Sequence, residues 1–158
     1  MAPLIRRAQA GDTTGLGVLH SAVWAELYSD VLPAETLASL DPQTMTELWG
    51  RFITRGDAYV QFVAEIDGEI VGFAGVGPGR EPGYELGREL YFLVVAPQHR
   101  RSGIGKALLK QADVDYLWIA ETNRATQAFY RKQKFYPDSV RRVGALFGAE
   151  LPEIRMAR

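Results

Sequence analysis

The chain contains no cysteine, which excludes a disulfide framework, a thiolate zinc site and a cysteine nucleophile together. Histidine is almost as scarce: His20 and His99 are too few for a histidine cage, and no metal is expected. Long apolar runs are missing too. The longest, residues 90–97, is far short of the roughly 20 residues that span a bilayer, so no membrane partner is expected. The beginning MAPLIRRAQAGD lacks an apolar signal core, which makes a cytoplasmic location the expectation. Repeats, low-complexity tracts and linkers are also absent. The 158 residues, 47% hydrophobic, read as a single domain over 1–158, long enough to bury a core without a staple.

A net charge of −1 hides an uneven distribution. Residues 1–98 carry 6 Lys/Arg against 13 Asp/Glu, and residues 99–158 carry 12 against 6. Such a split suits a polyanionic ligand held by the second half and a cationic partner approached by the first. It means nothing if the halves mix in space. The basic residues Arg131, Lys132, Lys134, Arg141 and Arg142 cluster in sequence, but a pI near 6.1 argues against a nucleic-acid partner.

Hydrophobic spacing outlines the elements. Leu16, Leu19, Val23, Trp24 and Leu27 form a helical stripe that Asp12 is placed to cap. Pro33 opens a short second helix, and residues 42–53 carry Met45, Leu48, Trp49 and Phe52 at helical spacing. Two β-rich runs, 58–66 and 69–77, flank Asp67-Gly68, a strong hairpin signal. The Gly/Pro-rich segment 77–87 should be a loop. A continuous apolar strand follows and stops at Pro97; then come a glycine turn, a compact helix from Lys106, a strand over 116–121, and a helix from Asn123 to about Lys134 with Ala125, Ala128 and Phe129 on one side. Two last strands fill the tail. The order describes a mixed α/β sandwich.

The unit VVAPQHRRSGIGKALL places a strand, a glycine turn and a helix start in succession. The first amides of a helix have no internal partners and point outward with the positive end of the macrodipole behind them, which makes an anion site. Gly103 and Gly105 let backbone approach a pyrophosphate, and Arg100, Arg101 and Lys106 add charge. A Walker loop is excluded, because Arg100 stands where its first glycine belongs and Ala107 follows Lys106. The dinucleotide fingerprint fails as well, since Leu108 occupies its third glycine position. What remains is R-x-x-G-x-G over residues 100–105.

With that motif the chain resembles the GNAT superfamily of acyl-CoA-dependent N-acyltransferases, whose central motif is [QR]-x-x-G-x-[GA] after a V-x-P-like strand end, here Val95-Ala96-Pro97. A second motif, N-x-x-A-x-x-F-Y-x-x-x-G-F, is matched by Asn123, Phe129-Tyr130 and Phe135; Ala125 sits one place early and Lys134 replaces the usual glycine. The resemblance implies a mostly antiparallel mixed sheet with two splayed central parallel strands and flanking helices. It implies acetyl-CoA as acyl donor, a small-molecule amine as acceptor, and a homodimer as an option. Its pyrophosphate would lie on the amides of Arg101, Ser102, Gly103, Ile104, Gly105 and Lys106. The backbone of Leu93, Val94 and Val95 would pair with the pantetheine arm like another strand, and Asn123 would bond the arm from the other side, besides capping its helix.

Roles in catalysis follow from the same resemblance. Tyr130 matches the family's general acid, and a phenol with a pKa near 10 is protonated at neutral pH and able to donate to a departing thiolate. The Val95 amide would hold the oxyanion. Glu89, six residues before Val95, matches a catalytic glutamate of some members, with a solvated strand-end charge as the other reading. The next strand carries Trp118 where other members have a glutamate. Glu26, Tyr28 and Asp30, with the aromatics Trp24, Trp49 and Tyr84, fall in the acceptor region, although helical spacing favours Trp24 and Trp49 as core. His20 reads as a helix surface or packing residue and His99 as exposed near the phosphates. An enzyme acting by direct transfer is expected, without a covalent acyl-enzyme; a catalytically weak acyl-CoA sensor on the same fold is the alternative.

Overall fold

The computed structural model describes residues 2–82 and 87–158. Tyr84 lies outside the described residues. Seven strands form one sheet in the order β1-β2-β3-β4-β5-β7-β6. They are β1 Leu4–Arg7, β2 Val60–Ile66, β3 Glu69–Pro78, β4 Arg88–Val95, β5 Tyr116–Ala120, β6 Tyr136–Leu146 and β7 Ala149–Ala157. Five helices accompany them: α1 Thr13–Tyr28, α2 Ala34–Ser39, α3 Pro42–Ile53, α4 Ile104–Ala112 and α5 Arg124–Lys132. Every strand pair is antiparallel except β4 with β5. The mixed, mostly antiparallel sheet with flanking helices is the architecture expected from the sequence.

The two faces of the sheet carry separate cores. On one, Ile104, Leu108 and Leu109 of α4 and Tyr130 of α5 pack with Leu90, Leu117, Ile119 and Met156 from the strands. On the other, Leu16 of α1 and Trp49 of α3 close over Val63 and Phe73, with Phe92 and Val94 of β4 beside them. Strand β4 therefore sends alternate side chains into both cores, which accounts for its unbroken apolar sequence. The β2–β3 hairpin turns at Asp67 and Gly68, both at positive φ (52° and 81°), as an Asp-Gly turn requires.

Several local expectations are corrected. Strand β1 was not foreseen, because four residues reading LIRR carry no alternation and gain strand character only by pairing with β2 at the sheet edge. Asp12 does not cap α1 with its side chain: its carboxylate takes the Arg6 guanidinium at 2.8 and 2.9 Å and the Gln9 amide at 2.7 Å. Leu27 leaves the expected stripe and is exposed. Helix α5 buries Gln127 and Tyr130 rather than Ala125 and Ala128, because Gln127 Nε2 donates to the carbonyls of Ala120 and Glu121.

His20 is a core residue, 3% exposed. Its Nδ1 accepts from Trp49 Nε1 at 3.1 Å, and the rings of Trp24, Phe73 and Phe92 surround it. Burial lowers its pKa to about 4. A histidine kept neutral in the fold takes up a proton on unfolding, so its contribution is complete above about pH 6.5 and is lost as pH falls toward 4. Urea titrations at pH 7 and pH 5.5 should show a loss of about 1 kcal/mol that is absent in His20→Gln. Equal pH sensitivity in the two proteins would refute the assignment.

Candidate active site

The parallel ladder between β4 and β5 has only two registered pairs, Glu89 with Tyr116 and Leu90 with Leu117. Beyond them the strands part. Strand β4 stays on β3 as far as the pair of Gly72 with Val95, while β5 stays on β7 as far as Ala120 with Glu153. A bulge contributes to the divergence: Gly75 faces Phe92 and Val76 faces Leu90, leaving Tyr91 as an extra residue that bends β4. The result is a V-shaped gap closed at Glu89 and open at Val95.

Backbone direction in the gap follows from the β3–β4 ladder. The Ala96 amide donates to the Val71 carbonyl at 2.8 Å. Alternation along an antiparallel pair then turns Val94's polar groups toward β3, and those of Leu93 and Val95 toward the gap. Leu93 thus holds a backbone donor and acceptor, and Val95 a backbone donor, that face the gap. The Val95 carbonyl accepts from Arg100 Nε at 3.2 Å.

At the open end the chain passes through a short 3-10 turn, Pro97–His99, into the motif. Arg101 (φ 64°) and Gly103 (φ 89°) adopt left-handed conformations that turn the backbone into the start of α4 at Ile104. At Gly103 a side chain would be strained by that φ alone. At Gly105 a Cβ would meet Phe129 at 3.4 Å and Val95 at 3.7 Å, ordinary van der Waals contact, so the protein's own packing does not demand glycine there. Arg101, Ser102, Gly103 and Lys106 are exposed, and Ile104 is buried as the anchor of the helix start. Arg100 forks onto Glu26 of α1 at 3.0 and 3.1 Å, which ties α1 to this turn.

Across the gap Asn123 caps α5, its Oδ1 accepting from the Thr126 amide at 3.2 Å; the side-chain amide nitrogen stays unused among the described residues. Tyr130 lies about two helical turns further on, 5% exposed, against Phe129 and Phe135. Its hydroxyl has no hydrogen-bond partner among the described residues, yet it is not among the sealed unpaired atoms, which are Gln61 Oε1 and Trp118 Nε1. Burial pushes the phenol well above its ordinary pKa, so it is held in the protonated, donating form.

Glu89 sits at the closed end and is fully buried, not the solvated charge that one reading allowed. Its Oε1 accepts from Arg80 Nη2 at 2.6 Å. Its Oε2 accepts from the Arg80 amide, Arg80 Nε and the Tyr116 hydroxyl at 3.1, 3.2 and 3.1 Å. Burial, and then the Glu89 charge, push Tyr116 up to about 12. The guanidinium of Arg80 lies over the Tyr91 ring at 4.2 Å. Sequence reasoning missed Arg80 and Tyr116, since only the fold brings together residues 9 and 27 positions from Glu89.

On the α1 side of the sheet, Trp24 stacks edge-on with Tyr28 at 5.2 Å and with Phe147, at the tip of the β6–β7 hairpin, at 5.5 Å. Trp24 and Tyr28 therefore meet on this face, whereas Trp49 is fully buried core, and Asp30 is exposed without a bond among the described residues. Trp118 carries the Arg142 guanidinium over its ring at 4.2 Å. Among the described residues no group of three or more His, Asp or Glu is placed to hold a metal ion, and no helix is long and apolar enough to cross a membrane.

Comparison with known proteins agrees with this geometry. The chain resembles the uncharacterized N-acetyltransferase YuaI of Bacillus subtilis, 27% identical over 146 residues that cover 86% of this chain and 80% of the relative. Among solved structures, the ribosomal-protein-alanine N-acetyltransferase of Brucella melitensis is 30% identical, covers 98% of each chain and superposes with a TM-score of 0.71. The PaiA N-acetyltransferase of Thermoplasma acidophilum, solved in complex with coenzyme A, shares the fold at 20% identity, full coverage of both chains and a TM-score of 0.74. The family model of the acetyltransferase (GNAT) domain matches residues 57–137, just over half of the chain, from the β2–β3 hairpin through the gap, the glycine turn and α5. The chain belongs to the GNAT acetyltransferases and is an acyltransferase.

Proposed function

We propose that the protein transfers an acetyl group from acetyl-CoA to a primary amine of a small molecule by direct attack in a ternary complex. The observation that carries this reading is the gap itself, in which the backbone groups of Leu93 and the N–H of Val95 face no neighbouring strand, beside a helix start rich in free amides. A central strand with open polar groups is costly unless a ligand pairs with them, and an amide-bearing pantetheine arm is of that kind. The amides of residues 101–106, with the exposed Arg101 and Lys106, supply the pyrophosphate site at the open end, beside Arg100, whose guanidinium is held by Glu26 and the Val95 carbonyl. Asn123 offers its free amide nitrogen to the arm.

Acetyl-CoA brings the activated thioester, and the protein supplies placement and protons. The Val95 N–H, aimed into the gap, donates to the developing oxyanion. The protonated Tyr130 hydroxyl, without a partner among the described residues, donates to the leaving sulfur. Glu89, at the closed end of the gap and six residues from Val95, is the base and takes the amine's proton through intervening water; Arg80, 55% exposed at its side chain, is its movable partner and frees Oε1 when it swings toward solvent. No covalent acyl-enzyme is needed, and the motif's Ser102 hydroxyl is already donating to the His99 carbonyl. The test is release of free coenzyme A from acetyl-CoA with and without primary amines. Amine-dependent release supports transfer; binding without release under any amine would favour the sensor reading.

A further inference from the structure

We propose that the acceptor is a diamine, and that Glu153 is the specificity residue holding its second, unreactive ammonium group. This deepens the acetyltransferase reading and rests on it. The β5–β7 register sends Ile119 and Ile154 to the α4–α5 core, so the pairs Trp118 with Arg155 and Ala120 with Glu153 face the α1 side. There Glu153 stands one strand away from the gap. At about 4.8 Å between strands, its carboxylate is too far to touch a nitrogen attacking in the gap, and at the right range for a second nitrogen about 6 Å from the first.

Glu153 is built into place. Arg142 Nε donates to its Oε1 at 2.9 Å, and a Cβ at Gly144 would overlap that oxygen, so the facing strand is cleared for it. Its Oε2 takes no hydrogen bond among the described residues, and its side chain is 14% exposed, which strengthens any charge it meets. Tyr28 is within reach: burial first, and then the Glu153 charge, raise its phenol. Tyr28 is edge-on to Trp24, and Trp24 to Phe147, so an aromatic row runs from Tyr28 to the hairpin tip.

The charges on this face fix the sign of the ligand. Arg142 is shared between Glu153 and Glu81, Arg155 pairs with Asp138, and Arg80 pairs with Glu89. Four carboxylates thus face three guanidiniums among the described residues. All three guanidiniums are paired, which leaves nothing to receive an acceptor's carboxylate, while Glu153 Oε2 is open to a cation.

Three probes of equal length read the preference: 1,4-diaminobutane, butylamine and 4-aminobutanoate, each assayed with acetyl-CoA by coenzyme A release. The wild-type protein should show a KM for the diamine about tenfold or more below that for butylamine, with 4-aminobutanoate the poorest. In Glu153→Gln that preference should collapse to within about twofold through KM for the amine, with kcat and the KM for acetyl-CoA held, a split that general loosening of the fold would not produce. If Glu153→Gln does not fold, Tyr28→Phe keeps the ring stack and should lower the same preference. Equal KM values for diamine and butylamine in the wild type, or an undiminished preference in Glu153→Gln, overturn the proposal. If acetyl-CoA stabilises the fold but none of the three amines is acetylated, the diamine assignment falls while the acyl-CoA site stands. If acetyl-CoA does not bind at all, the acetyltransferase reading falls with it.

Discussion

Replacing Tyr130 by phenylalanine should lower kcat by about 10²-fold while leaving acetyl-CoA affinity within about twofold. The substitution isolates chemistry from folding unusually well. The ring is packed against Phe129 and Phe135 and stays; the hydroxyl alone is removed, and it bonds to no described residue. No group among the described residues is left unpaired, so the unfolding midpoint should hold or rise slightly. A phenol kept protonated by burial across the whole neutral range predicts that the alkaline limb of the wild-type pH–rate profile, where this acid loses its proton, lies beyond pH 10. Stopped-flow or steady-state turnover decides the matter: a variant with wild-type kcat has lost nothing that mattered, and the acid role would pass to another group.

Glu89→Gln should have the second large effect, and on two observables at once. The amide keeps the shape but not the charge, and it brings its own donors to a place where Arg80 and Tyr116 already donate. A charge-assisted set of this kind contributes about 1.5–3 kcal/mol, reduced here because Arg80 is half exposed and regains water. A loss of about 2 kcal/mol corresponds to roughly 5 °C in Tm at this size. For catalysis, a missing base matters most where the amine is still protonated. Turnover should therefore fall about 10²-fold below the amine's pKa and recover as pH rises above it. If Tm falls but the pH–rate profile keeps its shape, Glu89 is an anchor of the closed end of the gap and not the base.

The parts of this account that depend on local pattern were readable in the residues. The Asp67-Gly68 turn needs positive φ at both residues, and Gly103 needs it again before α4, so composition alone located a hairpin and a helix start. The strand that feeds two cores announced itself by its unbroken apolar run. What could not be read depends on meetings across the fold. Strand β1 exists because β2 is beside it, and Asp12 left its capping role because Arg6 reached it first. Glu89 is locked by Arg80 and Tyr116, which become neighbours only after β4 and β5 pair. Glu153 carries no motif at all; its place beside the gap follows from the β5–β7 register and from the space left at Gly144. The divergence of β4 from β5 is likewise a matter of where pairing stops, and the sequence supports it only through resemblance.

The most direct measurement is thermal unfolding of the purified protein with saturating acetyl-CoA, beside NAD and ATP at the same concentration. At about a hundred times the dissociation constant, binding to the folded state alone adds roughly 2.7 kcal/mol. The account predicts a rise of several degrees in Tm that is specific to acetyl-CoA and reduced in Gly103→Val, where the left-handed turn into α4 cannot form without strain. No rise at millimolar acetyl-CoA, or an equal rise with all three ligands, would contradict the claim that the gap and the glycine turn are an acyl-CoA site.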